Sequence, residues 1–197
     1  RTERRFRTKA GGWLPVEVRL KNIDQHHHLI TFVDITARKV VEETQNFLLQ
    51  CGNATSGEDF FHSLARFLAH TLGMDYICID RLEGDALSAE TVAGSFDGHF
   101  EDNVTYTLKD TPCGEVVGKN VCCFSDGVRH LFPQDQVLQD MVAESYVGVT
   151  LWDALHRPIG LIAAIGRSPL QNRAKAETVL KLVGMRAAGE LERRSAT

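Results

Sequence analysis

Apolar and polar positions set out the chain's elements before any single residue is considered. Over FRTKAGGWLPVEVRL, Trp13, Val16, Val18 and Leu20 follow a Gly11-Gly12 turn signal, and this spacing predicts a β-hairpin. Pro15 points to an edge strand or an irregular start. HLITFVDI follows a polar turn at Asn22 to Gln25 and reads as another strand. So few strands cannot build an independent core. Residues 1–36 are therefore expected to lean on missing sequence, on the next domain or on another copy of the chain. The chain opens in what looks like mid-strand sequence, so we expect a fragment of a longer protein.

At Asp34 the period changes from two to 3.6. DITARKVVEETQNFLLQC offers Asp34 or Thr36 as a cap and places Val40, Thr44, Phe47, Leu48 and Cys51 on one side of a helix over 37–51. After a break at Gly52 to Gly57, Phe60, Leu64, Phe67, Leu68 and Leu72 form a wide apolar stripe that stops at Gly73. Two strands then flank a Glu83-Gly84-Asp85 turn, and VTYTLKD is extended. TPCGEVVGK starts a short helix with Pro112 in its first position, VCCFSD is a strand, and FPQDQVLQDMVAE is a helix with Pro133 near its start. SYVGVTLWDALHRPIGLIAAIGR is the clearest hairpin. A long final helix carries Ala176, Leu180, Val183, Ala187 and Leu191 on one stripe.

This order predicts an α+β domain, an antiparallel sheet with terminal helices on one face and a helix and loop cap on the other. The outer helices carry stripes that the sheet alone is not expected to cover. We therefore expect a homodimer through a helical bundle.

Composition changes this picture little. A hydrophobic content of 43% and a charged content of 24% fit a globular chain, and a net charge of −4 gives no pull toward nucleic acid or acidic membrane. The basic run RTERRFRTK has no aromatic platform beside it and reads as a solvated strand. The longest apolar runs are too short to span a bilayer, and no secretory leader is visible, so a cytoplasmic setting is expected.

The five cysteines, Cys51, Cys78, Cys113, Cys122 and Cys123, are odd in number and irregular in spacing, unlike a secreted disulfide framework. Cys113, Cys122, Cys123 and His130 lie close in sequence. Neighbouring Cys122 and Cys123 on a strand would point to opposite faces, and the spacing is not that of a zinc knuckle. No metal site is expected there, and the thiols read as core or pocket residues. His26-His27-His28 reads as exposed hairpin surface.

From about Phe47 to Ala188 the sequence resembles the GAF domains of bacterial sensor proteins. The resemblance is carried by LKDTPCGEVVGKN, by the F-P-x-D helix, and by the S-Y-x-G strand leading into the P-I-G-L-I hairpin. KAGGWLPVEV and the following Asp34-Ile35-Thr36 resemble the last strands of a PAS domain and its exit into a signalling helix. The implied organisation is a truncated PAS portion over 1–36, a linker helix over 37–51 and a GAF domain over 52–197.

What the resemblance implies is a sensory module upstream of an output domain of the histidine kinase or cyclic-di-GMP enzyme type. It would bind a small ligand, dimerise, or do both. No particular cofactor is indicated and no catalytic residue is expected. The cyclic-nucleotide residue set is not recognisable, a bilin-attaching Cys-His pair is missing, and a haem ligand would fall to His130 or His99. Free methionine sulfoxide reductases share the fold. Cys113 at a helix start resembles one of their thiols, but the later partner position falls near Gln139 to Met141, where no cysteine stands. A thiol sensor centred on Cys113 and a ligand-free dimerisation spacer are the alternatives. In the GAF arrangement a pocket under the cap would be lined by Tyr106, Cys113, Phe124, Phe132, Tyr146, Thr150 and Trp152.

Overall fold

The computed structural model describes residues 1–52 and 59–195. The chain divides into two compact units, Arg1–Asn46 and Phe47–Thr197. In the first, β1 (Thr2–Arg7), β2 (Trp13–Asn22) and β3 (His28–Asp34) form an antiparallel sheet with β2 in the middle. Gly11 sits at φ 87°, a conformation open to glycine at the hairpin turn. Pro15 lies in the central strand rather than at an edge. It pairs with Arg5 on one side, and pairing to β3 begins only at Val16, so its missing N–H interrupts no bond to β3. The register collects Phe6, Leu14, Val16, Val18, Leu20, Ile30 and Phe32 on one face, where Phe6, Leu20, Ile30 and Phe32 are exposed.

The helix α1 (Thr36–Gly52) starts where Asp34 accepts hydrogen bonds from the Thr36 amide at 2.8 Å and its hydroxyl at 2.7 Å. Arg38 pairs with Glu3 and Glu17, and Lys39 with Glu3, which ties the first turns of α1 to β1 and β2. The division between the units falls inside α1. The break expected from Gly52 to Gly57 lies, beyond Gly52, outside the described residues.

The second unit begins with α2 (Phe60–Leu72), which Asp59 caps by accepting from the Phe61 and His62 amides. Gly73 ends it in the left-handed conformation, φ 63°. There follow β4 (Tyr76–Leu82), β5 (Ser88–Phe96), β6 (His99–Glu101) and β7 (Thr105–Thr107). Next come α3 (Pro112–Val116), β8 (Cys122–Phe124), α4 (Val128–Leu131) and α5 (Gln136–Asp140). The unit closes with β9 (Ser145–Trp152), β10 (Pro158–Gly166) and α6 (Arg173–Ser195).

Its antiparallel sheet runs β6-β5-β4-β10-β9-β8, with β7 on β5. α2 packs on β4 and β5, α6 packs on β9 and β10, and α3 lies against β9 and β10 from the other side. Both faces are covered, so β9 and β10 are buried almost throughout, which their unbroken apolar sequence requires. This is the α+β arrangement the sequence pattern predicts. No helix among the described residues is long and apolar enough to cross a membrane.

Two local expectations change. FPQDQVLQDMVAE does not form one helix: Pro133 falls in a turn after α4, and α5 begins at Gln136 with Asp135 as its cap. The α6 stripe of Ala176, Leu180, Val183, Ala187 and Leu191 is buried within the chain by its own sheet. It therefore needs no second copy to cover it. The apolar side chains that these outer helices leave exposed include Leu49 and Met185.

Candidate functional site

Residues paired across an antiparallel sheet share a face, so the register identifies what looks toward the cap. One row across the sheet reads Gly94, Cys78, Ala163, Gly148 and Cys122. Every member is small, which leaves a trough between two bulkier rows. One neighbouring row is Phe96, Tyr76, Ile165, Tyr146 and Phe124; the other is Thr91, Asp80, Leu161 and Thr150. The Tyr146 ring folds over the trough, because a Cβ at Gly148 would stand 2.8 Å from its hydroxyl and 2.9 Å from Val116.

The cap closes over this floor. Thr111 caps α3 by accepting from the Gly114 amide, and Pro112 opens the helix, so Cys113 and Val116 point into the core. The Thr150 hydroxyl donates to the Val116 carbonyl at 2.7 Å, which pins α3 to β9. The Tyr146 hydroxyl donates to Cys113 Sγ at 3.3 Å. Phe124 and Phe132 meet edge-on at 5.2 Å, and Phe124 faces Tyr146 at 6.2 Å.

Of the seven residues predicted to line a pocket, Tyr106, Cys113, Phe124, Phe132 and Tyr146 come together in this cap-side core. Thr150 joins through its bond to α3. Trp152 stands apart: it stacks on His156 at 4.4 Å and lines, with Thr150, Val149 and Leu180, a separate cleft of about 430 Å³. A larger groove of about 830 Å³ lies outside the cap, between the turns at Ala86, Asp110 and Pro133, and of the seven only Phe132 reaches it.

Two residues at the centre were not singled out from sequence. Cys78 and Asp80 lie two apart on β4, facing α3. Asp80 is fully buried; Tyr106 donates to its Oδ2 at 2.8 Å, and Oδ1 has no hydrogen-bond partner among the described residues. The β4–β5 register slips between Ile79 and Asp80, a bulge that carries the strand past this residue. Burial pushes the Asp80 carboxyl up to about 6, against the hydroxyl of Tyr106 and the side chains of Cys78 and Thr91. The neighbouring Cys113, burial and Asp80 together hold the Cys78 thiol well above its ordinary range. The sequence did carry a signal: in YICIDRL both alternating sets are apolar, so an aspartate there belongs to a strand buried on both faces.

Donor atoms of Cys78, Asp80 and Cys113 lie within 4.8 Å of one another, all buried. Cys122 faces the cap and Cys123 the opposite side, where its Sγ lies 3.8 Å from Ser125 Oγ. His130 and His99 are exposed, as are His26, His27 and His28.

Neither a protein-family model nor a curated protein sequence matches the chain. Solved structures do. The GAF domain of an Acinetobacter phosphoenolpyruvate-protein phosphotransferase superposes with a TM-score of 0.65 at 15% identity, covering 80% of this chain and 96% of that one. The chromophore-binding domain of a Stigmatella aurantiaca phytochrome gives 0.61 at 11% identity over 95% of this chain and 72% of that one. That of an unusual R. palustris bacteriophytochrome gives 0.62 at 12% identity over 98% and 74%. At these identities the likeness is one of fold, and the fold is that of GAF domains.

Proposed function

We propose that this chain is a regulatory sensory module of a multidomain bacterial signalling protein. It receives a small ligand on the cap side of its sheet and passes the change on through its terminal helices to an output domain of the histidine kinase or cyclic-di-GMP enzyme type. The GAF fold supports the class of module. One observation carries the receiving site: a fully buried carboxylate oxygen without a partner among the described residues, inside an otherwise apolar core. An unpaired buried polar group costs about 1–3 kcal/mol. Such groups cluster where a site, rather than packing, dictates the residue.

Transmission in this reading runs through a homodimer. With the α6 stripe already covered, the contact falls to the remaining exposed apolar positions of the outer helices, Leu49 at 68% and Met185 at 83% exposure. A ligand biases such a pair only by binding its two arrangements differently. Sedimentation velocity over a wide concentration range tests this. The expected result is a reversible dimer for the wild type and a monomer for Leu49→Glu with Met185→Glu. A wild-type monomer throughout would overturn transmission by pairing.

A further inference from the structure

We propose that Cys78, Asp80 and Cys113 form a binding site for a borderline-soft divalent cation of the zinc class, seated under the cap of the second unit. The three donor atoms already stand within 4.8 Å of one another. Around a tetrahedral Zn²⁺, with Zn–S near 2.3 Å and Zn–O near 2.1 Å, donors lie roughly 3.6–3.8 Å apart. Closing the group onto an ion therefore takes a contraction of about 1 Å at most.

The donor set is selective. Two thiols and one carboxylate suit zinc and its relatives, whereas magnesium and calcium take oxygen ligands. The ligands come from two elements: Cys78 and Asp80 from one face of β4, and Cys113 from the first turn of α3. A bound ion would cross-link sheet and cap.

Asp80 supplies the independent evidence. Its Oδ2 is held by Tyr106 and its Oδ1 has no hydrogen-bond partner among the described residues, so one oxygen is oriented in a carboxyl group that stands beside two sulfurs. The side chains that act on this carboxyl, those of Tyr106, Cys78 and Thr91, carry no positive charge. Tyr146 plays the matching part for Cys113, donating to its sulfur at 3.3 Å. Hydroxyls placed behind the donors in this way orient ligands toward a metal.

Binding replaces two S–H bonds with two S–Zn bonds and sends both protons to solvent, with no change of oxidation state. Three protein donors leave one tetrahedral position for a non-protein ligand. That position would give the proposed sensor its receiving point. The site stands on geometry alone and rests on the sensory reading only for the claim that occupancy is signalled.

The test is titration of the chelator-treated chain with Co²⁺, kept reduced by a non-thiol phosphine. We expect one equivalent to raise a near-ultraviolet sulfur-to-cobalt band, and one equivalent of Zn²⁺ to abolish it. Cys78→Ser and Cys113→Ser should each remove the band, while Cys122→Ser and Cys123→Ser leave it. Asp80→Asn should lose most of the affinity, and Tyr146→Phe should weaken binding about 10–100-fold. Histidines on the β2–β3 turn cannot produce a thiolate band, so they do not confuse the readout.

Absence of the band in the wild type overturns the site, as does a band that survives both Cys78→Ser and Cys113→Ser. If the core variants fail to fold, thermal unfolding of the wild type decides. A melting temperature raised by Zn²⁺ but not Mg²⁺ supports the site, and no rise with either overturns it. A chain that binds one zinc without any change in its sedimentation keeps the site and loses the signalling role.

Discussion

Arg194, in the last turn of α6, donates to Asp59, the residue that caps α2. The guanidinium also lies 4.6 Å from the Phe61 ring, so the end of one helix is fastened to the start of the other on the same side of the sheet. Asp59 does two jobs there: it satisfies helix amides that have no partner inside α2, and it neutralises Arg194. Asp59→Ala should lower stability by about 1–2 kcal/mol. For a unit of this size that means a melting temperature lower by roughly 2–4 °C per kcal/mol, measured by thermal unfolding followed by circular dichroism.

Glu190 gives this corner a pH dependence. Arg193 and Arg194 bond its carboxylate and hold it at about 2, below its ordinary 4.5. A carboxyl lowered on folding stabilises the native state above its unfolded value and loses that contribution as pH falls through the folded one. Urea midpoints should therefore separate wild type from Glu190→Gln at neutral pH. The gap should close as pH drops from about 4.5 toward about 2.

The trough makes a steric prediction that a neighbouring glycine controls. Gly148→Ala would drive a methyl group into the Tyr146 hydroxyl and Val116, at 2.8 Å and 2.9 Å. Overpacking of this kind costs about 1–3 kcal/mol, and here it should also pull Tyr146 from Cys113. In α6, Gly184→Ala meets only ordinary contacts, 3.5 Å from Leu151 and 3.8 Å from Val149. It should be neutral or stabilising by up to ~1 kcal/mol. Chemical denaturation gives both stabilities, and near-ultraviolet circular dichroism should change only for Gly148→Ala.

Asp80 should behave as a residue kept for binding. In metal-free protein at mildly alkaline pH, Asp80→Asn removes a buried charge while an amide oxygen remains for Tyr106. The variant should be more stable than wild type by ~1–3 kcal/mol in denaturant unfolding. A loss of stability would mean that the carboxylate is structural.

Much of the fold was legible because period and punctuation agreed. Gly73 ended α2, Pro112 opened α3, and two uninterrupted apolar runs about a turn became β9 and β10. What was not legible depended on three-dimensional neighbours. The α6 stripe looked unpartnered because its sheet is contributed by β9 and β10, which only the fold brings beneath it. Pro133 looked like a helix start, but Asp135 captured the Val137 and Leu138 amides first. Trp152 shares a strand face with Tyr146, yet the β9–β10 turn brings His156 onto its ring.

The site divided in the same way. The aromatic residues under the cap were expected from the arrangement that the resemblance to GAF domains implies, and Tyr106, Phe124, Phe132 and Tyr146 do meet in one core. The pairing of Asp80 with Tyr106, and of Cys78 with Cys113, joins residues 26 and 35 positions apart, and no local spacing encodes it. The thiols that are near in sequence, Cys122 and Cys123, are separated by the strand itself.

Native mass spectrometry of the chain, purified without chelator or thiol reagents, tests most directly whether the cap-side core is a receiving site. The account predicts a discrete non-covalent adduct on the wild type, a metal ion or a small molecule, that is missing from Asp80→Asn. Bare polypeptide mass for the wild type, or an adduct carried equally by both proteins, would contradict it.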